Sequence, residues 1–280
     1  MKGLNPHSPP SVSIHALGLS LFEHKALIVQ MTRRDIAGRY AGSLAGLAWA
    51  FVTPALMLAV YTFVFSQILG SRWGSSVHDE SKVQFALVLF AGLIVLNLFS
   101  DVLHKAPGLI LNNANYVKKV VFPLEILAAV TVGTALFNAF VSLLVLAFAL
   151  LISGGNVHWT TLLIPVVLLP LAVLALGIAW FLASLGVYLR DIGQTIGMVT
   201  TALMFLSPVF YPADSVPLGF RPYLMANPLT FIIEQSRRVM IWGQTPDWQG
   251  LAVYLGVSIL IAWGGFAWFQ KTRKGFADVL

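Results

Sequence analysis

The chain has 280 residues, 58% hydrophobic and only 10% charged, with mean hydropathy +0.83. A soluble domain carries about 25% charged residues, so a water-soluble globular protein is excluded, and the lack of cysteine excludes disulfides and thiolate metal sites. The net charge of +6 is spread over connecting segments, which suits anionic lipid head groups, and no nucleic-acid partner is expected.

The opening MKGLNPHSPPSVSIH is rich in Pro and Ser and lacks an apolar core. Residues 1–20 are therefore expected to form a flexible cytoplasmic tail and not a secretory signal. LFEHKALIVQ is too short to span and runs into MTRRDIAGRY, with Arg33, Arg34 and Arg39. This pattern predicts an amphipathic interfacial helix over 21–42, lying on the cytoplasmic leaflet. The next charged residue after Arg39 is Arg72, so a first span is expected at 43–69, with Pro54 tolerated inside it. A polar loop over 70–82 leads to a second span at 83–104, where Asp101 and Lys105 stand four apart as a helix-compatible pair.

The segment APGLILNNANYVKKVVFPLE then interrupts the apolar pattern. From Glu125 to Arg190 there is no Asp, Glu, Lys or Arg in between, which is too long for one helix. SGGNVHW is a turn signal that divides it into spans at 123–152 and 161–187. After YLRDIGQ a fifth span is expected at 192–211, ending around Pro208 and Pro212, and a sixth at 248–270, closed by KTRK. The apolar pieces of 213–247 are too short to cross. Asn227-Pro228 is a helix start, with Asn as cap and Pro at the first position, and Glu234 and Arg238 stand four apart. Two short re-entrant helices are expected there.

The expected fold is thus an all-α polytopic membrane protein. It has a tail at 1–20, the interfacial helix at 21–42, a transmembrane domain of six helices at 43–270 and a cytoplasmic tail at 271–280. Six spans place both termini on one side, and twelve of the 17 Lys and Arg residues fall there. By the positive-inside bias both termini are expected in the cytoplasm.

There is no GxxxxGK[ST] phosphate loop, no HExxH and no Asp-rich metal cluster in the sequence. No acidic residue lies in the middle of a span, where coupled carriers keep one. A metal site, bound cofactor or catalytic residue is not expected on this chain. A membrane-embedded lipid-modifying enzyme and an ATP-independent carrier remain the readings from other classes.

Five motifs stand in order: RRDIAGRYAGSLAGLAWAFVTP, NNANYVKKVVFPLE, YLRDIGQ, SPVFYP and NPLTFIIEQSRR. Together they resemble the permeases of type-2 ABC exporters, in the branch that exports O-antigen, capsule and teichoic acid polymers. The resemblance covers nearly the whole chain; Ala128, where a Pro is expected, is a small departure. It implies a homodimeric permease in the bacterial inner membrane, working with a separate ATP-binding cassette subunit that holds ATP and Mg. It implies export of a polyprenyl-pyrophosphate-linked polysaccharide, O-antigen first and capsular or teichoic acid polymer as the alternative.

On this resemblance, Asn115, Tyr116, Lys118 and Lys119 belong to a short coupling helix seated in the ATPase. Arg33, Arg34 and Arg39 are either positive-inside anchors or contacts for the lipid pyrophosphate. Arg237 and Arg238 are expected as interfacial anchors. At about 100° per residue, Trp49, Thr53, Phe63 and Gln67 share a face of the first span. Gln194, Met198, Thr201, Phe205 and Pro208 share a face of the fifth. Aromatic rings beside polar groups suit sugars, so these faces are expected to line a polysaccharide channel or to act as polar glue between helices.

Overall fold

The computed structural model describes residues 13–68, 82–118 and 122–280. The expected loop over 70–82 falls almost wholly outside the described residues. Helices account for most of what is described: α1 Ile14–Glu23, α2 Lys25–Tyr40, α3 Trp49–Thr62, α4 Lys82–Lys105, α5 Ala114–Lys118 and α6 Ile126–Ile152. Then follow α7 Ile164–Tyr188, α8 Ile192–Leu206, α9 Arg221–Ala226, α10 Pro228–Met240, α11 Trp248–Thr272 and α12 Phe276–Val279. Among the described residues, five stretches are long and apolar enough to cross a bilayer: Gly46–Phe65, Val83–Lys105, Ile126–Ile152, Trp159–Tyr188 and Trp248–Val279. The first of them continues through a π-helical turn, Phe63–Ile68.

The helices run alternately up and down, which defines two ends. One collects Arg33, Arg34, Arg39, Lys105, Arg190, Arg273 and Lys274 and is here the basic end; the other holds α9 and α10 and is the far end. α4 is the central helix, packed against α3, α6, α7, α8 and α10. Its most apolar window is 83% buried, whereas that of α3 is 11% buried, which puts α3 at the periphery.

Lipid tails are as apolar as leucine, so helices in a bilayer associate through close packing of small residues. The α7–α11 pair shows how. A Cβ on Gly177 would stand 2.5 Å from the Ala262 Cα, and one on Gly265 would collide with the Gly177 carbonyl. Only hydrogen at both positions lets the backbones meet. Trp180 then packs edge-on to Phe266, with ring centroids 5.2 Å apart, and Ser184 bonds Thr272 at 2.7 Å.

Several expectations change. Helix begins at Ile14 and not at 21, and it breaks at His24 into α1 and α2. The fifth apolar segment is helical only to Leu206, short of the expected 211. Pro208 disfavours helical backbone at the residue before it, and Ser207 is extended. At 1.5 Å per residue, 15 residues reach roughly 22 Å, less than the roughly 30 Å of a bilayer core. The tail over 271–280 folds back as α12, with Phe276 buried against Phe269 and Tyr188.

Two expected helix pairs are replaced. Lys105 does not pair with Asp101: it reaches Asp35 of α2 at 3.1 Å, and Asp101 accepts from Asn138 Nδ2 at 2.9 Å. Glu234 pairs with Arg237 at 2.9 Å, and Arg238 is exposed. Lys105 is drawn to a neighbouring helix while Asp101 is taken by Asn138, and Glu234 takes the inward-facing Arg237 of its own helix over the exposed Arg238. The cap at Asn227 is as expected: its Oδ1 accepts from the Leu229 N–H at 2.9 Å.

Candidate functional site

At the basic end α2 lies in a groove against α6. Gly133 has no side chain where Thr32 presses in; a Cβ there would be 3.0 Å from Thr32 Oγ1. This contact turns Asp35 inward, where its carboxylate accepts from Lys105 Nζ at 3.1 Å and from Thr134 Oγ1 at 2.9 Å. Partial burial would raise the Asp35 pKa. Hydrogen bonds from Lys105 and Thr134 and the charges of Lys105 and Arg39 outweigh it, and the net effect is a value below the ordinary one.

Arg34, on the next position of α2, donates from Nη2 to the Tyr116 hydroxyl of α5 at 3.0 Å. The structure thus brings together two sets of residues singled out separately in the sequence. Beside Arg34, between α2, the end of α4 and the start of α6, opens a pocket of about 440 Å³, lined by Arg34, Asp35, His104, Lys105 and Asn112 among others. Arg33 and Arg39 are exposed and do not line it. His104 leads to α8, with its Nε2 3.2 Å from Thr200 Oγ1.

α5 exposes Asn115, while Tyr116 stacks on Phe122, with ring centroids 4.4 Å apart. Lys119 lies outside the described residues, as do the side chains of Lys118 and Gln67. Phe122 leads to a group that sequence reasoning missed. Glu125 is almost wholly buried and accepts from Ser20 Oγ of α1 at 3.0 Å and from Arg273 Nη1 at 2.9 Å. Arg273 Nη2 donates to the Phe122 carbonyl at 2.7 Å, and Trp180 Nε1 to the Glu125 carbonyl at 2.8 Å. The available signal was Glu125 itself, the last charge before a long uncharged stretch, since a carboxylate taken into such surroundings needs a cationic partner.

The two aromatic and polar faces flank the central helix: α3 packs on α4 and α6, α8 on α4. Trp49, Thr53 and Phe63 are exposed on α3, and Gln194, Met198, Thr201 and Phe205 on α8. Phe51, on the other side of α3, is exposed as well. Thr201 spends its hydroxyl on the Gly197 carbonyl at 2.9 Å. At the far end the two segments approach through Phe65, which lies on the opposite side from the Trp49 and Phe63 face, with Phe210 and Phe205; neighbouring rings lie 6.2 and 6.4 Å apart.

At the far end Arg237 is not the interfacial anchor expected from its sequence. It is 1% exposed and donates to the carbonyls of Val88 (3.1 Å), Pro208 (2.6 Å) and Val209 (3.0 Å) and to Glu234 at 2.9 Å. Asn227 Nδ2 adds bonds to the Leu206 carbonyl at 3.2 Å and to Ser207 Oγ at 2.9 Å. The last carbonyls of a helix lack intrahelical donors. Irregular backbone at membrane depth persists only where protein supplies those donors, and Arg237 and Asn227 supply them where α8 ends.

Long apolar helices, one of them almost wholly buried by the others, and a broken helix whose carbonyls are satisfied by an internal arginine define a polytopic membrane protein. The chain belongs to the ABC-2 type transporter family, whose membrane-domain model matches residues 26–241. It is 25% identical over 260 residues to the O-antigen export system permease protein RfbA of Myxococcus xanthus, covering 92% of this chain and 96% of that one. It is 23% identical over 254 residues to the polysialic acid transport protein KpsM of Escherichia coli, covering 89% and 94%. With the capsule polysaccharide export inner-membrane protein CtrC of Neisseria meningitidis serogroup A it shares 23% over 259 residues, covering 91% and 94%.

Proposed function

We propose that this chain is the membrane subunit of an ATP-driven exporter that moves a lipid-linked polysaccharide across the inner membrane, with O-antigen as the first substrate to test. The reading is carried by end-to-end similarity to permeases named for O-antigen, polysialic acid and capsule export. It requires a separate ATP-binding cassette subunit, which holds ATP and Mg, and a second copy of the chain.

In this reading the basic end is cytoplasmic. α8, extended by the backbone that Arg237 and Asn227 satisfy, is the fifth of six crossings, and α9 and α10 dip into the outer half of the bilayer. α5 seats in the ATPase through Asn115, Tyr116, Lys118 and Lys119. The exposed arginines of α2 meet the pyrophosphate of the carrier lipid at the water–lipid boundary, where guanidinium binds phosphate bidentately. The faces of α3 and α8 line the conduit across the dimer, with Trp49, Phe63 and Phe205 offering flat surfaces to sugar rings and Gln67 and Gln194 offering hydrogen bonds. Capsular or teichoic acid polymer is the alternative cargo.

The test is co-purification of the tagged chain with an ATP-binding cassette subunit, followed by export of a defined lipid-linked glycan from reconstituted vesicles. ATP-dependent appearance of the glycan on the far side is expected. A chain that binds no ATPase, or moves the glycan without ATP, would refute the reading. Cysteines at Asp214 and Gly275 test the orientation: label added outside the cell should reach the first and not the second.

A further inference from the structure

The contacts around Glu125 form a closed ring. Ser20 of α1 donates to the Glu125 carboxylate, and the other carboxylate oxygen takes Arg273, which follows α11. The second nitrogen of the Arg273 fork holds the Phe122 carbonyl. The Phe122 ring lies flat on Tyr116 of α5, and the Tyr116 hydroxyl accepts from Arg34 of α2. α1 and α2 are consecutive, so the ring returns to its start. α12 packs on α5 from the C-terminal side, anchored by the buried Phe276.

We propose that Glu125 and Arg273 are positioning residues for transport: they hold α5 against the α1–α2 unit, so that displacement of α5 is passed to α2. The proposal rests on the reading of α5 as the element that the ATPase moves. Its physical basis is the geometry of the fork. A guanidinium presents donors at fixed angles to two acceptors at once. Here one acceptor is the carboxylate of the N-cap residue of α6 and the other is the backbone beside the Tyr116 stack. The Arg273–Glu125 pair is largely shielded, with 29% and 9% of the two side chains exposed. Water therefore competes poorly for it, and a charge-assisted bond in such a place is stiff. Without the fork the link from α5 to α2 rests on the Arg34–Tyr116 hydrogen bond, which is exposed. Movement of α5 would then be taken up locally and α2 would not follow.

The experiment uses the full complex in vesicles. It compares Arg273→Gln, Arg273→Lys, Glu125→Gln and, as a charge control on the same segment, the exposed Lys274→Gln, scoring assembly, ATP turnover and polymer exported per ATP. For Arg273→Gln we expect normal assembly and ATP turnover, with polymer per ATP lower by about tenfold, the scale of one lost charge-assisted hydrogen bond. Glu125→Gln should show the same split. Arg273→Lys keeps the ion pair without the fork and should fall between, and Lys274→Gln should match the wild type.

Wild-type polymer per ATP in Arg273→Gln would overturn the proposal. So would a parallel fall in protein yield, assembly, turnover and export, which would make the pair a stabilising contact only. Alanine at Asn115, Lys118 and Lys119 together, which leaves the Tyr116 stack in place, separates this failure from failure of the α5 reading. If α5 does not engage the ATPase, that triple variant assembles and exports normally. If only the brace is wrong, the triple variant is defective and Arg273→Gln is not.

Discussion

Replacing Arg237 with Met keeps much of the side-chain volume and removes every donor. Two carbonyls of irregular backbone, those of Pro208 and Val209, are then stranded in a place water does not reach, while that of Val88 keeps the helical N–H of α4. Each stranded acceptor costs about 1–3 kcal/mol. Glu234 adds little, because 39% of its side chain is exposed and it can rehydrate. Taking the lower half of that range for each of the two carbonyls, the variant should be about 3 kcal/mol less stable. Arg237→Lys, with a compact ammonium that cannot bridge both, should lose about half as much.

The assay is thermal unfolding of the detergent-purified protein, followed by gel filtration of the surviving monodisperse fraction. Gly92→Ala is an independent check, since a Cβ there would stand 2.9 Å from Arg237 Nη2. Overpacking of this kind costs about 1–3 kcal/mol, and the cost should shrink in the Arg237→Met background because the crowded group is gone. A Met variant within about 1 kcal/mol of wild type, together with additive Gly92 and Arg237 effects, would refute the account of Arg237 as the satisfier of the broken helix.

Gly177→Ala should separate α7 from α11 and lower the yield of folded protein, whereas Gly264→Ala, whose Cβ meets nothing within 4 Å, should leave it unchanged; fluorescence-detected gel filtration reads both. The Asp35 carboxyl is held below its ordinary pKa, so its contribution to the packing of α2 is present above the ordinary carboxylate range and is lost as the pH falls through the lowered value. Amide exchange in α2 should therefore rise in acid, and Asp35→Asn should show the fast exchange already at neutral pH. On the head-group role, exchanging Arg33, Arg34 and Arg39 together for Lys should cut export while leaving membrane insertion intact; unchanged export would return them to the class of charge anchors. On the conduit role, alanine at Trp49 or Phe205 should lower export without loss of assembly or basal ATPase; a dimer structure with both rings turned to lipid would contradict it.

Much of the helical plan was legible from local chemistry. Hydropathy and the gaps between charges located the long helices, because a helix that meets lipid must be apolar over its own length. Asn227-Pro228 declared a helix start, because capping is settled within three residues. The limits of such reasoning appear where helix meets helix. Asp101 and Lys105, or Glu234 and Arg238, look like pairs along one chain segment. In the folded protein Lys105 is drawn to Asp35 and Glu234 to Arg237. Arg237 reads as one more basic residue near a membrane surface, and only the approach of α4 and of the backbone after α8 makes it an interior donor. Glu125, Arg273 and Ser20 lie far apart in sequence. Their union depends on α1, α6 and α11 ending at the same height. Local pattern determines which residues are helical and which face can be buried. The choice of partner for each polar group is made by three-dimensional packing, because a buried charge must accept whichever donors the neighbouring helices bring to it.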